Sequence, residues 1–383
     1  MQNITTRITA IVPRLPPAVN GVGDYGLNIA KQMRQDFGVD TNFLIGDPNW
    51  SGEAIVEGFP VQQVKEQSSQ ALLQLLSSHE YSTRVVLLHY VGYGYAKRGC
   101  PVWLVEGLEH WRKVVTSHSL VTMFHEIYAF GPIWTSQFWT SPLQRNLATR
   151  LVRLSDRCLT SKQGYAEIIA KLSQGKHSQI PTLPVFSNVG EPKNLTPLSE
   201  RPRRLVVFGG RGRRSRVYQQ SQLALQRTCR DLGIEEILDI GPALDFEIQS
   251  INGIPVVKLG VRSASEISSF LLSSVAGFFN YHTEYLTKSG IFAAYCAHRL
   301  LPIGTWNKGQ NVDGLEAGKH YWLGDKYERI MNLSEAQIVA DNAYAWYQKH
   351  QLSVQAHTFF AYLGGNLSGS DNIINQVSSV GFN

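Results

Sequence analysis

Short apolar runs alternate along the whole chain with longer stretches in which apolar positions recur every three or four residues. The first pattern fits a strand buried on both faces, the second an amphipathic helix. In the first half, strands are expected at residues 8–12, 41–45, 85–90, 120–124 and 158–161, and helices at 24–33, 71–76, 102–114 and 143–154. Between residues 180 and 202 the periodicity stops and five prolines appear (Pro181, Pro184, Pro192, Pro197, Pro202), the mark of a connector. The alternation then restarts, with strands at 204–208, 237–240, 256–259, 275–280 and 300–303 and helices at 217–232, 267–272 and 290–297.

Such alternation builds open parallel sheets covered by crossover helices. The expected class is therefore α/β: two Rossmann-like doubly wound domains facing a central cleft. Their expected extents are 1–190 and 203–350, joined by a linker at 191–202. Within 351–383 a C-terminal helix is expected to return to the N-terminal domain, ahead of a flexible tail rich in Gly, Ser and Asn. Ligands in such sheets bind at the carboxyl ends of the strands, so function is expected in the loops that follow them.

Composition narrows the choice of ligand. The 383 residues, 43 % hydrophobic, suffice for two cores, and the formal net charge is +6. Seven arginines (Arg201, Arg203, Arg204, Arg211, Arg213, Arg214 and Arg216) fall in one short stretch. Nucleic-acid binding spreads charge over a face, whereas a focused cluster fits a small polyphosphate, so nucleic acid is not expected as a partner. Cys100, Cys158, Cys229 and Cys296 lie far apart with no metal-ligand spacing, and no secretory leader precedes the first strand, which points to a cytoplasmic location. No apolar run approaches the ~18–20 residues that span a bilayer, although a basic protein is able to sit on an anionic membrane peripherally.

Four segments carry candidate chemistry. Gly21-Val22-Gly23-Asp24-Tyr25-Gly26 has the spacing G-x-G-x-x-G, and Asp47 stands 21 positions beyond Gly26. Together they suggest an NAD-dependent oxidoreductase. Against it, a proline-containing loop (Pro13, Pro16, Pro17) separates strand from glycines where that fingerprint needs a tight turn. A plain helix entry, or a backbone that must approach a substrate, needs the same glycines.

His89 and His125 both end strands. A hydrogen-bonded structural role is the plain alternative, above all for His89. Glu126 follows His125, and then comes an aromatic loop with Phe130, Trp134, Phe138 and Trp139. Such rings stack on sugar or lipid faces, or pack in a core. The third segment, residues 205–216, runs from a strand through Gly209 and Gly210 into Arg211, Arg213, Arg214 and Arg216. Loop amides, a helix N-terminus and guanidinium forks grip phosphate, the alternative being a solvated basic loop. In the fourth, Ser289 caps a helix starting at Gly290, with Lys288 beside it, and offers a second anion site. Two such sites in one domain suggest a diphosphate.

In the order and pattern of these segments, the chain resembles the retaining GT-B glycosyltransferases of family 4 over most of its first 350 residues. The resemblance implies metal-independent transfer of a sugar from a nucleotide-sugar donor, such as a UDP-sugar or GDP-sugar, to a glycan or lipid-linked acceptor, with no cofactor. It casts residues 21–26 with His89 and Glu284 around the substrates, and His125 and Glu126 beside the transferred sugar. Arg211 and Arg216, with Arg213 or Arg214 as substitutes, would bind the donor diphosphate together with Lys288, Ser289, Gly290 and Ile291. One departure stands out: Thr287 and Tyr295 occupy the positions of the family's two glutamates, of which the second holds the nucleotide ribose. A non-catalytic nucleotide-sugar-binding relative would lose that pair.

Overall fold

The computed structural model describes residues 7–78, 83–129, 131, 134–305, 313–326 and 331–364; Phe130, Pro132 and the expected tail beyond 364 lie outside these. Over the described residues the chain divides into two compact units. One is Met1–Pro184 with Leu352–Asn383, the other Val185–Gln351.

The first unit runs β1 (Arg7–Val12), α1 (Gly21–Phe37), β2 (Asp40–Ile45), β3 (Ile55–Val56), β4 (Phe59–Gln63), α2 (Ser69–Ser77), β5 (Val85–Tyr90), α3 (Gly92–Tyr95) and α4 (Val102–Val114). It continues through β6 (Ser119–Phe124), α5 (Ser136–Leu154), β7 (Arg157–Thr160) and α6 (Gln163–Ser173). Its seven-stranded sheet has the order β3-β4-β2-β1-β5-β6-β7, parallel throughout except for the β3–β4 pair. The central strands are buried almost end to end, as a sheet covered on both faces demands.

The second unit runs β8 (Arg204–Phe208), α7 (Arg211–Gln220), α8 (Gln222–Leu232), β9 (Glu236–Ile240), β10 (Ser250–Ile251), β11 (Ile254–Gly260) and α9 (Ala264–Leu272). Then follow β12 (Ala276–Phe278), α10 (Gly290–Ala297), β13 (Leu301–Gly304), β14 (Trp322–Leu323) and α11 (Leu333–Gln348). Its sheet order, β10-β11-β9-β8-β12-β13-β14, repeats the first with every strand number raised by seven. The last helix, α12 (Leu352–Tyr362), belongs to the first unit, where Phe360 stacks on Phe37 of α1 with ring centroids 4.1 Å apart.

In both sheets the chain builds outward on one side, then crosses to the other. The reversals fall between β1 and β5 and between β8 and β12. Flanking crossover helices diverge at such a point and leave room for a ligand. Residues 191–202, expected as linker, pack on the second unit. Leu198 is buried, and the Arg201 guanidinium donates to the carbonyls of Thr196, Ser274 and His298.

Five expected helices begin earlier than the periodicity suggests, among them α1 and α5. The first starts at Gly21 because Asn20 caps it, its Oδ1 accepting from Gly23 N at 2.9 Å. It ends at Gly38, whose left-handed φ of 66° lets its N–H reach the carbonyls of Arg34 and Met33. The helix α5 starts at Ser136 and carries Pro142 inside it, at an exposed position.

Candidate functional site

At the reversal in the second sheet, β8 ends at Phe208 and the chain turns through Gly209 and Gly210 into α7. Gly209 has φ 130°, and a Cβ on it would stand 2.5 Å from Ile291 Cδ1. The φ is one that L side chains rarely adopt, which favours glycine here. Residues 211–216, expected in a basic loop, form the first turns of α7 instead.

Helical spacing then sends the arginines in different directions. Arg211 is exposed and pairs with Asp245 at 2.9 Å, and Arg216 is exposed as well. Arg214 turns inward and is 2 % exposed. Its Nε donates to Gly209 O at 2.9 Å, and its terminal nitrogens bond to the Asp239 carboxylate and Pro242 O. That corrects its expected role as a phosphate ligand: the guanidinium is spent inside the fold. Arg213 is half-buried with its guanidinium carbon 3.8 Å from the centre of the Tyr281 ring.

The other wall comes from the segment after β12. Thr283–Lys288 is a tight helical turn, after which Ser289 caps α10, its Oγ accepting from Phe292 N at 3.2 Å. The N-terminal amides of α10 and α7, with their positive dipole ends, thus flank the same sheet reversal. A small cleft open to solvent lies there, lined in part by Arg213, Asn280, Tyr281, Ser289 and Ile291. Of the expected donor ligands, the structure brings Arg213, Arg214, Ser289 and Ile291 together around it, Arg214 with its guanidinium turned into the fold. Lys288 is half-buried next to Ser289 with Nζ 5.8 Å from the Tyr285 ring, Gly290 opens the helix, and Glu284 is exposed. Asn280 and Tyr281 were not singled out from sequence; their signal was their place at the end of a strand beside the reversal.

The two positions where the resembled family carries glutamates both face inward. Thr287 is buried, its Oγ1 donating to Asp313 Oδ2 at 3.1 Å. Tyr295 is fully buried and its hydroxyl bonds to the carbonyls of Val206 and Phe278, which bridges β8 and β12. Gly277 makes room for that ring, since a Cβ there would stand 2.5 Å from it.

In the first unit the corresponding reversal gathers His89, His125 and the start of α1. A Cβ on Gly23 would lie 1.8 Å from Arg14 O, so the helix enters beneath a backbone carbonyl that only glycine clears. Eight residues separate Val12 from Gly21, too many for the turn of a dinucleotide fold. Asp47, the expected ribose ligand of that reading, is instead held by Arg14 at 2.5 Å. Gly21 and Val22 lie in the first turn of α1, with Val22 half-buried. Beside them Asp24 is also half-buried, and burial pushes its carboxyl up to about 6 against the pull of a backbone hydrogen bond at Asn20.

His89 Nδ1 lies 3.2 Å from His125 Nε2, and the Tyr25 ring meets both imidazoles edge to face. Tyr25 is fixed in turn by Gln355 of α12, whose Oε1 accepts from its hydroxyl at 2.5 Å. Complete burial pushes His89 down to about 3, so its ring is neutral. Its Nε2 has no hydrogen-bond partner among the described residues and lies against the backbone of Gly26. A proton there would be a buried unpaired donor, a cost of ~1–3 kcal/mol. The proton therefore belongs on Nδ1, donated to His125 Nε2, and His125 keeps its own on Nδ1. Glu126 follows, half-buried, its amide bonding to Tyr90 O at 3.5 Å.

No known protein family matches the chain, and no curated protein matches it in sequence. Solved structures match it over nearly its whole length. Anabaena HepE in complex with UDP and glucose has a TM-score of 0.62 at 13 % identity, over 94 % of this chain and 99 % of that one. An alpha-glucosyltransferase in complex with UDP and a 13-mer DNA containing a HMU base has a TM-score of 0.57 at 11 % identity, over 94 % and 99 %. A putative UDP-N-acetylglucosamine 2-epimerase from Listeria monocytogenes has a TM-score of 0.54 at 11 % identity, over 95 % and 98 %. The chain has the GT-B fold, two doubly wound α/β domains, as expected. One fold here serves a named transferase and a named epimerase, so it leaves the reaction open. Nor does it carry the expectation that nucleic acid is not a partner, since one similar structure holds DNA.

Proposed function

We propose that this protein is a glycosyltransferase that takes a sugar from a nucleoside diphosphate donor, the diphosphate binding in the second unit. The observation that supports this reading is the pocket where α7 and α10 present their N-termini on either side of the β8–β12 reversal, with Arg213 on its wall. Amides and a guanidinium suit the charge that grows on a departing diphosphate, and a partly desolvated site strengthens each contact. Similar folds have been solved with UDP bound, which accords with the same donor class.

Arg213, the amides of Gly290 and Ile291 and Lys288 hold the leaving group, and Arg211 and Arg216 contribute long-range charge. In the first unit His125, whose ring meets His89 and Tyr25, and Glu126 next to it are the catalytic candidates. The acceptor attacks from the face that the diphosphate leaves, so transfer proceeds with retention, and the guanidinium and amides take the place of a metal. The acceptor is a glycan or a lipid-linked glycan.

Thermal unfolding with UDP and GDP, each with and without EDTA, tests the donor site: a rise in melting temperature that survives EDTA is expected, and none with either nucleotide defeats the reading. Incubation with UDP-glucose and UDP-N-acetylglucosamine tests the reaction. Sugar moved to an acceptor or to water supports transfer; recovery of an epimerised nucleotide sugar replaces transferase by epimerase.

A further inference from the structure

Helix α5 is apolar on two sides. Ala148, Leu151 and Val152 are buried in the core of the first unit. At the N-terminal end a second apolar set faces water: Phe138 is 42 % exposed, Trp139 74 %, Leu143 45 %, and Trp134, just before the helix, 82 %. Helical spacing puts residues 138, 139 and 143 on one arc, opposite the buried set. Phe138 and Trp139 meet edge to face with centroids 5.4 Å apart, so the rings form a patch rather than scattered contacts.

Gln144 holds a basic turn at this end of the helix. Buried at 2 % exposure, its Oε1 accepts from Ala129 N at 2.8 Å and its Nε2 donates to Arg98 O at 2.6 Å. The turn carrying exposed Lys97 and Arg98 is thereby held against the same end of α5, where Arg145 is also exposed. The sequence contributes no Asp or Glu from residue 91 to 105 or from 127 to 155. Exposed indoles with cations at the same end of the helix, and no carboxylate in either sequence segment, match the chemistry of an anionic lipid–water interface: rings enter at headgroup depth and cations meet lipid phosphates. A soluble glycan would use the ring faces but gain little from the cations.

We propose that this face of the first unit docks on an anionic membrane surface, with Trp134 and Trp139 inserting and Lys97, Arg98 and Arg145 pairing with lipid headgroups. The proposal is independent of the donor site and needs no turnover for its test. The full chain is sedimented with vesicles of phosphatidylcholine alone and of an equal mixture with phosphatidylglycerol. Binding is expected to the mixture only and to weaken with salt. The pair Trp134→Ser and Trp139→Ser should lower the partition coefficient on the order of tenfold, and Lys97→Gln, Arg98→Gln and Arg145→Gln by about fivefold each. All these side chains are exposed, and unchanged thermal unfolding confirms folding before vesicles are added. No binding to the mixed vesicles, variants that bind as well as the unsubstituted protein, or displacement by a soluble oligosaccharide would overturn it.

Discussion

Replacing Arg214 by methionine separates an arginine that builds the site from one that binds ligand. Arg214 and Asp239 have side chains 2 % exposed, and the guanidinium also serves the carbonyls of Gly209 and Pro242. Burial is the largest influence on Asp239 and holds its carboxyl above the ordinary range, although the guanidinium pulls it down. Arg214→Met leaves a buried carboxylate and two carbonyls without their partner, a loss of about 3–5 kcal/mol from the second unit. The double variant Arg214→Met with Asp239→Leu removes the orphan charge and should regain most of that.

The pH dependence has a definite sign. Without the guanidinium burial is opposed by the weaker pull of Lys258, so the folded pKa of Asp239 rises further above its unfolded value of about 3.9. Between those values the folded state binds the extra proton, and the stability of Arg214→Met falls as pH rises through the window. Urea unfolding of the second unit at pH 5 and pH 8 measures both effects. A loss under about 1 kcal/mol, or a double variant as unstable as the single, refutes the assignment of Arg214 to the interior.

Arg213→Ala should behave in the opposite way, with little change in stability but UDP binding weakened roughly tenfold to a hundredfold by loss of a charge-assisted contact; calorimetry showing an unchanged Kd would remove Arg213 from the site. His89→Leu should redistribute the His125 proton between its two nitrogens, while His89→Asn, which keeps a donor near Nδ1, should hold it on Nδ1. Nitrogen NMR of the imidazoles reads this directly, and identical spectra for wild type and His89→Leu would defeat the pairing. His89 and His350 are each pushed down to about 3 by burial. Each therefore favours the folded state above the unfolded pKa of about 6.5 and loses that contribution as pH falls toward 3, at about 1.4 kcal/mol per pH unit. A flat stability profile between pH 6 and pH 4 would contradict this.

The parallel-sheet architecture was legible because its buried strands read as short apolar runs, and the His89 and His125 positions because both end such runs. What stayed hidden depends on distant partners. Glycine is a poor helix former, which moved the expected start of α1 past Gly21 and Gly23. The backbone carbonyl over Gly23 that requires its small size comes from Arg14, in the loop before it. The arginine cluster looked uniform, yet Arg214 finds its counter-ion in another strand, at Asp239, and no local pattern announces that. Adjacent parallel strands bring His89 and His125 within reach, but the contact itself depends on the register of β5 and β6. Gln355, which fixes Tyr25 beside them, lies 330 residues further along the chain.

A crystal structure of the protein soaked with UDP would locate the diphosphate. It is expected between Arg213 and the first amides of α10, against the backbone of Gly209 and Gly210. Phosphates bound at Gly21 to Gly26 of the first unit instead, or a pocket that stays empty at saturating UDP, would contradict the donor site proposed for this chain.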